Sequence, residues 1–154
     1  PDDPADLPCF LEWVTPLNPP ERAQPAAIVT AGRGMTDTDL PALSILSTAS
    51  LADLSARMGM ALSKDRWRGN LWLDGWAAYA ERDLVGQTLT IGNLELRVTQ
   101  TIGRCPATSA DTATGQIDID MPEALKAQFG HKDFGIYAEV VSGGEIALGD
   151  EVRA

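Results

Sequence analysis

The sequence predicts a mixed α+β fold: a β-rich, antiparallel, barrel-like sheet with two or three peripheral helices. Three observations predict it: short alternating segments parted by glycine turns, a few stretches with helical spacing, and no βαβ rhythm. At 154 residues the chain is one domain or most of one, long enough to bury a core. Its 44% hydrophobic and 22% charged content are ordinary for a globular protein.

Residues 5–17 are punctuated by proline, and Phe10, Leu11, Trp13 and Val14 are spaced as a short helix that Pro19-Pro20 ends. Residues 26–30 read as a strand, 32–39 as an exposed loop and 43–47 as a second strand. Ser50 followed by Asp53 resembles a capping box, with Leu51, Leu54 and Met58 on one apolar helical face and Gly59 as the stop. Residues 67–74 alternate bulky and small side chains as a strand does, and Asp74-Gly75 turns the chain toward a short helix at 77–84. The plainest hairpin comes next, with 88–91 and 94–102 joined by Gly92-Asn93. Along it Leu94, Leu96 and Val98 point one way and Glu95, Arg97 and Thr99 the other. Pro122 opens a helix that carries Leu125 and Phe129 on one face and stops at Gly130. Strands at 134–141 and 146–152, joined through Ser142-Gly143-Gly144, complete a set of roughly seven or eight strands.

The formal charge of −10 repels nucleic acid and anionic lipid surfaces, and no apolar run approaches the roughly 20 residues of a membrane span. Neither nucleic acid nor membrane is therefore an expected partner. Nine of the twelve basic residues are arginine, and Lys64, Arg66 and Arg68 fall close together. Arginine forks suit phosphate or carboxylate, so a ligand here would be a small anion rather than a polymer, although composition alone favours a solvated strand end with charges scattered by chance. Two cysteines, Cys9 and Cys105, do not make a disulfide scaffold, and the single histidine, His131, cannot complete a zinc site with them. His131 comes after Gly130 at a helix end, a place where the ring complements the helix dipole.

Cys105 ends the longest alternating strand, beside Arg104 and at the mouth of a loop of small residues. Its thiol has three open readings: nucleophile, redox partner or metal ligand. A nucleophile lacks an evident base and a disulfide switch lacks a resolving cysteine. A soft ligand for a transition metal needs only access and deprotonation. A buried structural cysteine stands beside these, with Arg104, Pro106, Thr108 and Ser109 as poor core company. Read as a strand, Arg66, Arg68 and Asn70 share one face, and Gly69 lets a ligand approach the backbone. Three such donors form a cradle for a phosphate or a polar heterocycle. Ser47 and Thr48 either add hydroxyls and helix N-terminal amides to that cradle or simply cap the helix.

Taken together these segments resemble the MOSC domain (molybdenum cofactor sulfurase C-terminal domain), in the branch of the mitochondrial amidoxime reducing component and its bacterial relatives. The matching pieces occur in order: residues 45–54 and 68–75, then Glu81, Gly86 and Ile91-Gly92. Arg104-Cys105 with Asp111, Thr114 and Gly115, then 134–137, 144–146 and Gly149-Asp150, complete the series. Asp111-Thr112 stands where relatives often carry Asp-Pro.

The resemblance implies a barrel with helices outside it and a molybdenum cofactor (molybdopterin) coordinated by Cys105, the catalytic and metal position. It implies cofactor contacts from Arg68 and Asn70 and, less directly, Ser47. Thr48, Arg66, Arg104 and Asp111 complete the expected binding set. The implied activity is reduction of small N-hydroxylated compounds, with electrons from an external electron-transfer protein or domain, in a cytoplasmic oxidoreductase. The alternative function is a sulfur carrier or delivery module that holds a persulfide on Cys105, and a domain that only binds a partner is a third. The chain opens Pro1-Asp2-Asp3 without methionine and is expected to be a processed chain or a C-terminal fragment. Residues 1–42 are expected to be the tail of a preceding segment with its linker, and 43–154 the MOSC domain.

Overall fold

Adjacent residues of the first strand face two different cores, and that alternation organises the domain. The computed structural model describes residues 3–30, Gly32 and 41–154. The chain divides into two compact units, Pro1–Asp37 and Thr38–Ala154. In the first, a helix α1 spans Leu7–Val14, and the rings of Phe10 and Trp13 lie 6.0 Å apart. Residues 26–30, expected as a strand, are irregular, and β1 begins only at Ala42. The loop expected at 32–39 lies outside the described residues apart from Gly32.

The second unit holds β1 (Ala42–Ser47), α2 (Thr48–Met58), β2 (Leu71–Leu73), β3 (Thr88–Ile91) and β4 (Leu94–Gly103). It continues with α3 (Met121–Phe129), β5 (Asp133–Ser142) and β6 (Val152–Arg153). One six-stranded sheet runs β2-β1-β5-β4-β3-β6 and curls into a nearly closed barrel. β1 and β2 pair in parallel, so the sheet is mixed rather than wholly antiparallel. Parallel neighbours need a long crossover, and residues 48–70 with α2 provide it. β2 and β6 form the seam, flanking a cleft of about 340 Å³ lined by Leu71, Leu73, Ile91, Ile146, Leu148 and Val152.

Successive strand residues point to opposite faces, so Ile45 joins a core inside the sheet and Leu46 one beneath the helices. The inner cluster includes Leu89, Leu96, Val98 and Ile136. The outer cluster packs Leu51 and Leu54 of α2 and Met121 and Leu125 of α3 against Leu46, Trp67 and Phe134. Each fully buried aliphatic side chain stabilises the fold by about 2 kcal/mol.

β4 alternates as expected from Leu94 to Val98, and its register against β5 then shifts between Val98 and Gln100. Such irregularities re-aim the residues beyond them, and here they lead the strand into a buried Arg104 and an exposed Cys105. The cap of α2 is Ser47, whose hydroxyl accepts the Ser50 N–H, rather than the Ser50–Asp53 box expected. The helix expected at 77–84 is a 3-10 turn at Ala80–Leu84. In the closing strand only Val152–Arg153 pairs, because residues 143–151 run as loop along the seam.

Candidate functional site around Cys105

The segment before β2 is not a strand. Ser63 accepts the Asp65 N–H and opens a 3-10 turn, Lys64–Trp67, that ends with Arg68 at φ 52, ψ 38. That left-handed conformation is costly for a side chain with a Cβ. The expected shared face of Arg66 and Arg68 therefore does not exist: Arg66 is buried and Arg68 is exposed. The physical reason is Trp67, whose ring packs 4.1 Å from Phe134 in the outer core and forces the chain to turn around it. Gly69 comes next where the space is tight: a Cβ there would lie 2.6 Å from Leu46 Cδ1 and 2.9 Å from Trp72 Nε1, so these side chains would have to shift.

Arg66 is spent inside the protein. Its Nη1 donates to the Thr108 carbonyl at 3.0 Å and to Asp118 Oδ1 at 2.8 Å, and its Nη2 to Asp118 Oδ2 at 2.6 Å. That fork holds the Asp118 carboxyl below the usual carboxylate range. Asp118 carried no signal in the sequence, since its partner lies 52 positions away.

Arg104, 7% exposed, donates through Nε to the Phe134 carbonyl at 2.7 Å and through Nη1 to the Trp67 carbonyl at 3.0 Å. The guanidinium carbon lies 5.4 Å from the centre of the Trp67 ring. No hydrogen-bond partner reaches Nη2 among the described residues. Burial without a carboxylate partner lowers its pKa to about 10. Its space depends on Gly135, where a Cβ would lie 3.2 Å from Nη2 and 2.9 Å from the Ile45 carbonyl, at a backbone φ of +85.

Next to this cation Cys105 is exposed, and its carbonyl accepts from the Thr108 N–H and hydroxyl in the turn Pro106–Ser109. The Trp67 carbonyl accepts from Arg104, so the turn that ends in Arg68 is tied to the segment that leads into Cys105. The other expected residues are spread around it. Ser47 is buried and caps α2, and the Thr48 hydroxyl donates to Asp74 at 2.6 Å. Asn70 Oδ1 accepts from the Ser44 N–H and hydroxyl, while Asn70 as a whole stays exposed. Asp111 Oδ1 accepts from the N–H groups of Thr114 and Ala113 and from the Thr114 hydroxyl, bonds that lower its pKa. His131 stacks on Phe129 and lies 2.9 Å from Arg82 Nη1.

Among the described residues no three His, Cys, Asp or Glu side chains are grouped to hold a metal. A metal at Cys105 would draw its remaining ligands from a cofactor. An exposed cysteine that follows a buried guanidinium with one unpartnered nitrogen suits an anionic ligand. None of the described helices is long and apolar enough to cross a membrane.

Mitochondrial amidoxime reducing component 2 of Bos taurus is 35% identical over 126 residues, which cover 74% of this chain and 37% of that protein. Mitochondrial amidoxime-reducing component 1 of Homo sapiens is 33% identical over 120 residues, 70% of this chain and 35% of that one. The mouse component 1 is 31% identical over 157 residues, 94% of this chain and 46% of its own length. The chain thus spans less than half the length of these relatives. The crystal structure of YiiM from Geobacillus stearothermophilus shares the fold, with a TM-score of 0.55 at 22% identity over 71% of this chain and 52% of that one. The MOSC domain model matches residues 35–153, and the chain belongs to the MOSC domain family.

Proposed function

We propose that this domain holds a molybdenum cofactor and forms part of an oxidoreductase that reduces N-hydroxylated compounds. The observation that carries the reading is the pairing of exposed Cys105 with the buried Arg104 guanidinium, whose Nη2 has no partner among the described residues. A buried charge is costly unless matched, and an anionic group at the thiol would match it. The residues present therefore fit a cofactor that brings phosphate and dithiolene charge.

In this reading Cys105 is the protein ligand to the metal and the catalytic position. Arg68, exposed and held in a strained turn, contacts the phosphate or pterin end, and Asn70 offers its amide. Ser47, Thr48 and Asp111 shape the surroundings through the α2 cap and the loop turn. When bound, the cofactor supplies a two-electron reduction that, with two protons, turns an N–OH group into N–H and water. The electrons come from an external electron-transfer protein or domain, and the substrate is a small N-hydroxylated molecule. Residues 1–42 are in this reading the end of a segment preceding the domain at 43–154.

The test is molybdenum per chain after expression with cofactor supply, in the wild type and in Cys105→Ala. Loss of metal in the variant is expected, and equal metal in both removes Cys105 from the coordination shell. Exposure of the thiol also favours a second reading, persulfide carriage without metal. A mass increase of about one sulfur atom on fresh protein, lost on reduction, selects that alternative.

A further inference from the structure

Two segments that flank the proposed cofactor position exchange arginines. Arg66, on the 64–67 turn, donates to the Thr108 carbonyl in the loop after Cys105. Arg104, which leads into that loop, donates to the Trp67 carbonyl in the turn. The Arg66 fork then grips Asp118, so one guanidinium ties both ends of the loop that leaves Cys105 and returns toward α3. Between those ends the loop is closed on itself. The Asp118 N–H donates to the Ser109 carbonyl, Ala110 bridges Ile117, and the Asp111 N–H donates to the Gln116 carbonyl. All three buried side-chain donors without partners, Arg66 Nε, Trp67 Nε1 and Arg104 Nη2, belong to this clamp among the described residues. Such orphans are rare, and three within one structural unit mark a place where geometry is kept at the expense of hydrogen bonding.

We infer that Asp118 and Arg66 are positioning residues: their bidentate pair sets where Cys105 stands relative to Arg68, and so whether both engage one ligand. The Arg66 Nη groups are taken up by Thr108 and Asp118, and both Asp118 oxygens by Arg66, so neither needs to touch the cofactor to act. The planar fork is what spans Thr108 and Asp118 together, and a lysine, a point charge, does not reproduce it. Where the inference concerns cofactor placement it rests on the proposed function, whereas loop closure does not.

The experiment compares the wild-type chain with Asp118→Asn, Arg66→Lys and Asp118→Glu by amide hydrogen exchange and by molybdenum content after expression with cofactor supply. Exchange across residues 106–118 is expected to quicken by about ten-fold or more in Asp118→Asn and Arg66→Lys, the scale set by loss of a charge-assisted pair. Protection in α2 and β4 is expected to stay unchanged, and Asp118→Glu, which keeps the carboxylate, to recover much of the loop protection. Molybdenum content is expected to fall with loop protection. Unchanged exchange of the loop in both variants overturns the clamp. A loosened loop with full molybdenum loading overturns the positioning role and leaves the proposed function intact. A wild type that takes up no molybdenum defeats the proposed function, and loop exchange still decides the clamp.

Discussion

The Ser50 hydroxyl faces both carboxyl oxygens of buried Glu81, at 2.8 and 2.9 Å, and accepts the Tyr79 N–H at 2.8 Å. This one hydroxyl ties α2 to the segment that leads toward β3. Glu81 is 1% exposed, so its carboxyl has little solvent to turn to. Ser50→Ala removes its donor and orphans the Tyr79 amide, and unmade bonds in buried places cost about 1–3 kcal/mol each. A loss of about 3 kcal/mol in urea unfolding is expected, and a loss within experimental error would show that Glu81 has another route to satisfaction.

Gly69 and Gly135 are both held by close approach, and they should not respond alike to alanine. At Gly69 the nearest atom, Leu46 Cδ1, ends a side chain, so Gly69→Ala should cost about 1–3 kcal/mol as the core shifts. At Gly135 the obstacle is the Ile45 carbonyl, which is backbone, and φ is +85. Strain adds to overpacking there, and Gly135→Ala should lose about 3 kcal/mol or more. Thermal unfolding of both variants checks the order, and equal effects would contradict it.

Acid should weaken the fold through a defined set of carboxylates. Asp53, Asp74, Asp111 and Asp118 all have pKa values below their ordinary 3.8. For each, the unfolded state binds the proton first, so the stability it contributes is present above 3.8 and lost as pH falls through the lower folded value. Circular dichroism against pH should show stability falling below about pH 4. Asp118→Asn should start less stable and lose less on acidification. Arg104 acts at the alkaline extreme and in the same sense, stability rising with pH. Its folded value of about 10 lies below the ordinary arginine range, so its burial penalty is fully present below pH 10 and eases as pH rises above it.

The hairpin of β3 and β4, both α2 and α3, and the location of Cys105 could be read from the chain because local rules decide them. Alternation along Leu94–Val98, Pro122 at a helix start and glycine after each helix state their structure within a few residues. The family was legible for a related reason: its motif pieces are short and keep their order, and they match over residues 35–153. The 66–70 segment was misread because alternating bulky and small residues fit a strand as well as a turn wrapped around one buried tryptophan. Only the packing of Trp67 on Phe134 separates the two.

Sequence alone determined that the Cys105 thiol ends a strand beside an arginine, and that α2, α3 and the β3–β4 hairpin form where they do. Tertiary structure alone decided which guanidinium faces solvent. Arg66 and Arg104 carry the same charge as Arg68, yet each finds buried carbonyls 30 to 42 positions away, Arg66 also grips Asp118 at a separation of 52, and Arg68 is turned outward. A charged side chain's direction depends on which partners the fold brings within about 3 Å, and such partners lie beyond any local reading of the chain.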